Sequence, residues 1–333
     1  MSDEADRRIL VTGASGCVGR RLLARGAERR LALPGLGRGP AAAMCPVAAL
    51  LLVLLFASGA RGDASDLGRA DALWGRRAEG QMNAVARHEP VRAAIDAYER
   101  AIAAEPRNLE AHWKLLRALW FSADFASANS AAERRTYEQA HAVAERAFAL
   151  LAERVGGRET LDDLTPEALA ARLPEADHRH AAELYFWHSV NLGAWSRIAG
   201  LLQAVRAGVA GRIHEATLRS IALDPDVEQG GAIRLLSRLH SELPRVPLLS
   251  GWVDHEQAVP LAERALNEYP QHPGNTYLLG LALLSNAPER RPEGLRLIES
   301  TAALEPRSDQ VVEDLAIQID ARELLEAERN GDL

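Results

Sequence analysis

The sequence contains very little cysteine and almost no lysine. Its 333 residues include two cysteines, Cys17 and Cys45, and none from Arg61 onward. No disulfide and no thiolate site can therefore form in the body of the chain, which fits an exported protein that avoids thiols and equally a small cytosolic domain without cysteine. Lys114 is the only lysine, so any chemistry that needs a lysine beside a second group depends on this position.

Acidic residues outnumber basic ones outside the N-terminal region. The chain has 39 Lys and Arg against 46 Asp and Glu, and the first 60 residues hold eight of the arginines and only four of the acids. The remainder carries a net charge of about −11. Because nucleic acids and anionic membrane surfaces attract concentrated Lys and Arg, we expect no nucleic-acid partner.

No convincing alternation of apolar and polar residues follows residue 65, so strands are not predicted there. Apolar residues instead recur with helical spacing in six windows, at 92–104, 131–153, 181–205, 228–241, 256–268 and 308–327. Thr165 followed by Pro166 is typical of a helix N-cap and first helical residue. The sequence predicts an all-α domain over residues 65–333.

One unbroken apolar run precedes this domain. Residues 44–64 read MCPVAALLLVLLFASGARGDA, in which residues 47–57 are followed by small residues, as in a secretory signal core with its cleavage zone. Such a run spans only about 16 Å as a helix, roughly half of a bilayer core. The uncharged stretch at 39–60 is longer and follows several arginines, so an uncleaved anchor is the alternative. Either of these interpretations predicts an exported, periplasmic protein. A buried helix of a soluble protein is the third interpretation, and the absence of an amphipathic face in the segment disfavours it.

A ten-residue pattern recurs along the body. It reads AYERAIAAEP at 97–106, ATLRSIALDP at 216–225 and LAERALNEYP at 261–270, with weaker copies at 144–152 and 297–306. Small residues in each copy allow a neighbouring helix to approach closely, and the final proline of the clearer copies ends the helix. Self-similarity of this kind is typical of stacked helical repeats.

The helix that follows the first copy supplies the complementary half of a known repeat. Four residues match the spacing of the first helix of a tetratricopeptide repeat: Trp113, Leu116, Arg117 and Trp120, with Arg117 in place of the usual glycine. Leu279 and Gly280 supply a small packing pair in another such helix. The body resembles the tetratricopeptide-repeat family, which implies an α-solenoid of stacked helix pairs.

The middle of the chain resembles a more particular family over residues 85–325. A helix ending in Leu-Asp-Pro at 223–225 is followed by Gly230-Gly231, a proline-rich loop at 244–251 and an alanine-rich helix at 258–266. This order resembles the T component of tripartite ATP-independent periplasmic (TRAP) transporters. The resemblance implies a periplasmic scaffold that partners the solute-binding subunit and assembles as a ring-like trimer. The lipid-attachment cysteine common in that family is absent here.

The N-terminal region carries a different resemblance. Residues 9–23 read ILVTGASGCVGRRLL, and Gly13, Gly16 and Gly19 match the phosphate-binding turn of extended short-chain dehydrogenases and epimerases. No ribose-binding acid follows, and Lys114 has Glu110 rather than the family's tyrosine four residues before it. We interpret residues 1–43 as a fragmentary extension, with Met44 as the more natural start, and expect no bound cofactor.

Aromatic residues are the candidate binding site. Five of them fall on two predicted helices: Trp113, Trp120, Tyr185, Trp187 and Trp195. The tryptophans of each helix are about two turns apart and can share a face, which suits a groove for a partner or an apolar ligand; packing between repeats is the competing interpretation. Neither a catalytic constellation nor a metal site is predicted, because the histidines near residue 180 lack regular ligand spacing.

These patterns together predict a non-enzymatic periplasmic scaffold that binds a protein partner, with self-association as a further possibility implied by the family. Two alternatives stay open. One is an NAD(P)-dependent epimerase-like protein that uses the N-terminal glycines, and the other is a periplasmic carrier of a small apolar ligand. Contact with a membrane is expected only through the N-terminal segment, if that segment is not cleaved.

Overall fold

The fold is all-helical. The computed structural model describes residues 65–247 and 249–331, and helices hold 77% of these residues. Within them the only β-type pairing is an isolated bridge between Met82 and Val85. The prediction of an all-α fold is confirmed. Gly13, Gly16 and Gly19, the apolar segment at 39–60 and the whole of residues 1–64 lie outside the described residues.

Most connections between the described helices are short, and the longer ones are at residues 75–87 and 243–257. They are α1 (Asp66–Trp74), α2 (His88–Ala104), α3 (Leu109–Phe121), α4 (Ser130–Val155), α5 (Arg158–Asp163), α6 (Pro166–Arg172), α7 (Glu175–Ala199), α8 (Leu201–Arg206), α9 (Val209–Leu223), α10 (Gly231–Glu242), α11 (Ala258–Glu268), α12 (Pro273–Asn286), α13 (Arg291–Ala303) and α14 (Val311–Asn330). A π-helical turn at Ser122–Ala126 extends α3.

Polar side chains cap the N-termini of several helices, where they accept hydrogen bonds from backbone N–H groups that have no partner within the helix. The Asn108 side chain accepts one at α3, and the Asn129 side chain accepts one at α4. At α6, the Thr165 hydroxyl accepts from the N–H of Ala168 at 3.2 Å, and Pro166 occupies the first turn. The sequence-based prediction of this N-cap is confirmed.

Neighbouring helices pack on one another along most of the chain, and the long α7 also packs on α3, α4 and α9. The main hydrophobic core lies among α1 to α4 and α7, and it includes Val312 and Ala316 of α14. Because α14 returns to this core, the last helix lies beside the first part of the fold. Arg77, only 4% exposed, reinforces this closure with a 2.9 Å ion pair to Glu313.

The sequence window at 181–205 predicts one helix, but the structure has two. Helix α7 ends at Ala199, and Gly200 adopts a φ of 84° before α8 begins. A positive φ is a conformation that glycine adopts without steric cost, so the chain changes direction at this residue. The apolar spacing continues through the break and conceals it. The new direction of α8 places that helix beside a surface cleft.

A separate, smaller hydrophobic cluster lies beneath that cleft. It consists of Leu192, Val209, Ile213 and Leu239, from α7, α9 and α10. Separate clusters of this kind are usual where an element packs outside the main core. None of the helices in the described part of the chain is long and apolar enough to cross a bilayer.

Candidate functional site

Four of the five predicted site aromatics are buried in the main core. Trp113, Trp120, Tyr185 and Trp187 are each at most 9% exposed. The rings of Trp120 and Trp187 lie 5.2 Å apart, across the α3–α7 contact. The indole N–H of Trp113 donates to Nδ1 of His180 at 3.2 Å. The structure therefore places these residues in helix packing, in agreement with the competing interpretation.

Trp195, the fifth predicted residue, lies at the boundary between two packing regions. It is half-buried and packs against both the main core and the smaller cluster beneath the cleft. Trp195 therefore lies close to the surface cleft described next, but its side chain does not line that cleft.

The cavity is an apolar cleft of about 440 Å³. Its walls come from the C-terminal half of α7, from α8, α9 and α10, and from the loop that follows α10. We call the described part of this loop, residues 243–247 and 249–251, the cleft loop. Val190, Val209, Ile213 and Leu239 form part of the lining. Cavities between 300 and 1,000 Å³ with mainly apolar linings are typical ligand sites.

Exposed apolar side chains surround the cleft. Seven large hydrophobic residues in the described part of the chain are exposed, and five of them lie on α8 or the cleft loop. These are Leu201 at 38%, Leu202 at 62%, Val205 at 45%, Val246 at 37% and Leu249 at 56% exposed. A concentration of exposed apolar surface beside a cavity is a common sign of a binding site, since such surface is costly to leave in water.

The lining also carries positive charge. Arg197 of α7 and Arg238 of α10 both border the cleft. Arg238 pairs with Glu242 at 2.7 Å, one turn along the same helix. Arg197 reaches Asp124 at 3.3 Å, while its Nη1 is buried without a hydrogen-bond partner. Residues 186–214 contain no acid, and Glu242 is the only acid in residues 235–251.

The far end of the cleft loop is fixed by an aromatic and histidine cluster. The ring of Trp252 stacks on His214 of α9, and it also meets His240 of α10 edge-on. Asp254 donates its backbone N–H to Nδ1 of His240 at 3.0 Å. Burial, with a smaller contribution from the neighbouring His240, lowers the pKa of His214 to about 4. The imidazole of His214 is therefore neutral near pH 7.

The other side chains that were considered for catalysis or metal binding make structural contacts. The Nζ of Lys114 lies 2.6 Å from Glu110 and 2.8 Å from Asp71, so it forms an ion-pair cluster rather than a catalytic tyrosine–lysine pair. His188 is buried against Phe148, and burial lowers its pKa to about 3. Across residues 65–247 and 249–331, no three His, Cys, Asp or Glu side chains are grouped so that they could hold a metal ion.

Comparison with known proteins gives no family assignment. No model of a known protein family matches the chain, and no curated protein matches it. The cleft and the repeat pattern are therefore the features on which a functional proposal can be built.

Sequence reasoning missed the cleft because its walls come from two separated parts of the chain. One signal was present, however. Residues 200–211 read GLLQAVRAGVAG, which combine three glycines, exposed leucines and no acid in an otherwise acidic protein. A segment of that composition beside an aromatic helix predicts a surface element with a binding role more directly than the tryptophans do.

Proposed function

We propose that this chain is a non-enzymatic, exported binding protein that serves as an accessory scaffold of a TRAP-type solute transporter by binding its solute-binding subunit. The observation that supports binding is the apolar cleft with exposed Leu202 and Leu249 beside it. The resemblance over residues 85–325 supports the choice of partner. The signal-like segment at 44–64 supports export to the periplasm, with residues 39–60 as the anchor if the segment is retained.

The body is, in this proposal, a tetratricopeptide-like solenoid. Three copies of the repeat pattern fall at the ends of α2, α9 and α11, and a weaker one covers the end of α13. Consecutive helices pack on each other on both sides of the long α7. A rigid array of this kind can hold an apolar surface in a fixed shape, so a partner is bound through a few buried anchors.

A direct binding measurement tests the scaffold function. The exported chain would be titrated with the solute-binding subunit of a TRAP transporter from the same host, by calorimetry. We expect a complex that Leu202→Glu weakens by about tenfold or more, since a charge on this surface would be desolvated in the complex. Leu304→Glu is the matched control, because Leu304 is also exposed but lies between α13 and α14. Absence of a complex, or equal effects of the two variants, would count against the proposal.

A second candidate function is favoured by the size of the cleft. A cavity of about 440 Å³ can enclose a small molecule rather than only an anchoring side chain. The chain would then carry a small apolar ligand in the periplasm, either independently or on behalf of the transporter. Calorimetric titration with alkyl compounds, compared between the native chain and a variant with a blocked cleft, tests this function.

A further inference from the structure

We infer that the cleft receives an amphipathic helix of a partner protein, and that acidic side chains flank the apolar face of this helix. This inference rests on the proposed scaffold function and adds the chemistry of the partner surface. The apolar face of the helix fills the cleft, and its acidic residues lie beside Arg206 of α8 and Arg245 of the cleft loop.

The apolar face of the partner follows from side chains that the chain itself leaves uncovered. Leu201 and Val205 of α8 line the cleft and are exposed. Val246 and Leu249 of the cleft loop also line it and are exposed. Apolar side chains that enter the cleft leave water and cover these residues at the same time. Because the opening is concave, it suits the side chains that project from one face of an amphipathic helix.

The acidic residues of the partner follow from a local reversal of charge. Residues 186–214 and 235–251 contribute all the walls of the cleft, and they hold five arginines and one acid. The chain as a whole carries a net charge of −7. An acidic partner is therefore attracted to this surface and repelled by most of the others, which favours one orientation of approach.

Two arginines beside the cleft have no acidic partner in the part of the chain that the structure describes. Arg206 directly follows Val205, Arg245 directly precedes Val246, and both arginines are exposed. The Nε of Arg245 donates to the carbonyl oxygen of Gly251 at 3.2 Å, and no ion pair joins either arginine to a described acid. Because a guanidinium can form two parallel hydrogen bonds with a carboxylate, these positions suit Asp or Glu of a partner.

The arginines that line the cleft are already engaged within the protein. Arg197 pairs with Asp124, and Arg238 pairs with Glu242. Their charges are therefore balanced before any partner arrives. The acidic contacts belong to the arginines beside the cleft rather than to those that line it.

A protein helix suits this surface better than a membrane does. A bilayer surface projects no side chains into a concave cleft, and basic membrane sites use clusters of about four to eight Lys and Arg. Arg206 and Arg245 alone are fewer than such a cluster. Two charges beside an apolar centre are instead common in protein interfaces, where arginine is enriched.

Two synthetic amphipathic peptides of equal length test the charge of the partner. Both have the same leucine face, flanked by Glu in one peptide and by Lys in the other, and their binding to the full-length chain would be measured by fluorescence anisotropy. We expect the Glu peptide to bind about tenfold or more tightly, and to lose affinity as NaCl is added. The net negative charge of the chain predicts the opposite order. Equal binding, or tighter binding of the Lys peptide, would overturn the inference.

Reversing two charges assigns the preference to particular residues. Arg206→Glu combined with Arg245→Glu should weaken binding of the Glu peptide by about tenfold or more. Arg100→Glu combined with Arg296→Glu is the matched control with the same net charge, because both arginines are exposed and lie on α2 and α13, which do not line the cleft. Equal losses in the two double variants would overturn the assignment to Arg206 and Arg245.

Gly211 allows the cleft to be blocked without disturbing the core. It lies in the first turn of α9 and lines the cleft, and a Cβ added there meets no atom within 4 Å. Gly211→Phe should fill the cavity and weaken binding of the Glu peptide by about tenfold or more, whereas Gly211→Ala should leave it unchanged. Unchanged binding in Gly211→Phe would overturn the assignment to this cleft.

The outcomes distinguish the partner chemistry from the scaffold function. If the solute-binding subunit binds but the Glu peptide does not, the scaffold function stands and the acidic helix is overturned. If the Glu peptide binds with the expected preference and the subunit does not, the acidic helix stands and the TRAP partner fails. Binding of phosphatidylglycerol vesicles without binding of the Glu peptide would also overturn the inference, because it would assign the surface to a membrane.

Discussion

The indole ring of Trp252 lies flat on the imidazole of His214, with ring centroids 3.8 Å apart and an interplanar angle of 9°. This contact joins the end of the cleft loop to α9, the helix that forms one wall of the cleft. The loop is also closed on itself by Ser250, whose hydroxyl donates to the carbonyl of Pro244 and accepts from the N–H of Val246. The stacking is therefore one of the contacts that hold this wall of the cleft in place.

Replacing the indole should release that wall. We expect Trp252→Ala to increase hydrogen exchange in the cleft loop much more than in α12, because the loop has few other buried contacts. Trp252→Phe is the matched control, since a ring at this position can still stack on His214. Equal protection of the loop in the native and alanine variants would show that the stacking does not hold it.

Acidification should destabilise the same region. The folded-state pKa of His214 is about 4, below its ordinary value of 6.5, so the unfolded chain binds more protons between these values. The stability that the neutral imidazole contributes is present above pH 6.5 and is lost as the pH falls toward 4. Burial also lowers the pKa of His240, which acts in the same direction.

The measurement is the difference in unfolding free energy between the native chain and His214→Phe, taken from pH 7 to pH 4. Phenylalanine can stack on Trp252 but cannot titrate, so the native chain should lose more stability than the variant on acidification. Parallel pH profiles for the two proteins would mean that His214 makes no contribution.

Most of the helices could be predicted from the sequence, because their apolar spacing and their termini are local features. The proline that ends AYERAIAAEP and the Thr165-Pro166 start of α6 each act within one turn of chain. The cleft could not be predicted in this way. It depends on the turn at Gly200 and on how α8 and the cleft loop lie across α9 and α10, which are relations between distant segments.

The tryptophans show a second limit of prediction from sequence spacing. Trp120 and Trp187 have the spacing of a shared helix face, and they do share one, but that face is directed into the core. Spacing alone cannot tell a buried face from an exposed groove, since both need apolar residues at the same positions. Whether this face is buried depends on how α3 packs against α7. That packing in turn depends on contacts between segments that are distant in the sequence.

The ion pair that joins the two ends of the described fold should matter more than the surface pairs. Arg77 and Glu313 have side-chain exposures of 5% and 12%, so removing one partner leaves a buried charge without compensation. We expect Arg77→Ala to lower the free energy of unfolding by about 3 kcal/mol or more in denaturant titration. Arg87→Ala is the control: its pair with Glu89 is long, at 3.5 Å, and exposed, so the loss should be below about 1 kcal/mol.

Gly280, in the interior of α12, and Gly211, in the first turn of α9, should respond to alanine in opposite directions. A Cβ at Gly280 of α12 would lie 2.6 Å from Ile298 Cδ1 and 3.0 Å from the carbonyl oxygen of Gly294, so α12 and α13 would have to separate. We expect Gly280→Ala to cost about 1–3 kcal/mol through overpacking. At Gly211 the Cβ meets open space, so Gly211→Ala should stabilise the chain by about 0.5–1 kcal/mol through its better helix propensity. Thermal or denaturant unfolding of both variants measures the difference, and a loss of stability at Gly211 equal to that at Gly280 would contradict the close approach of α12 and α13 as the cause.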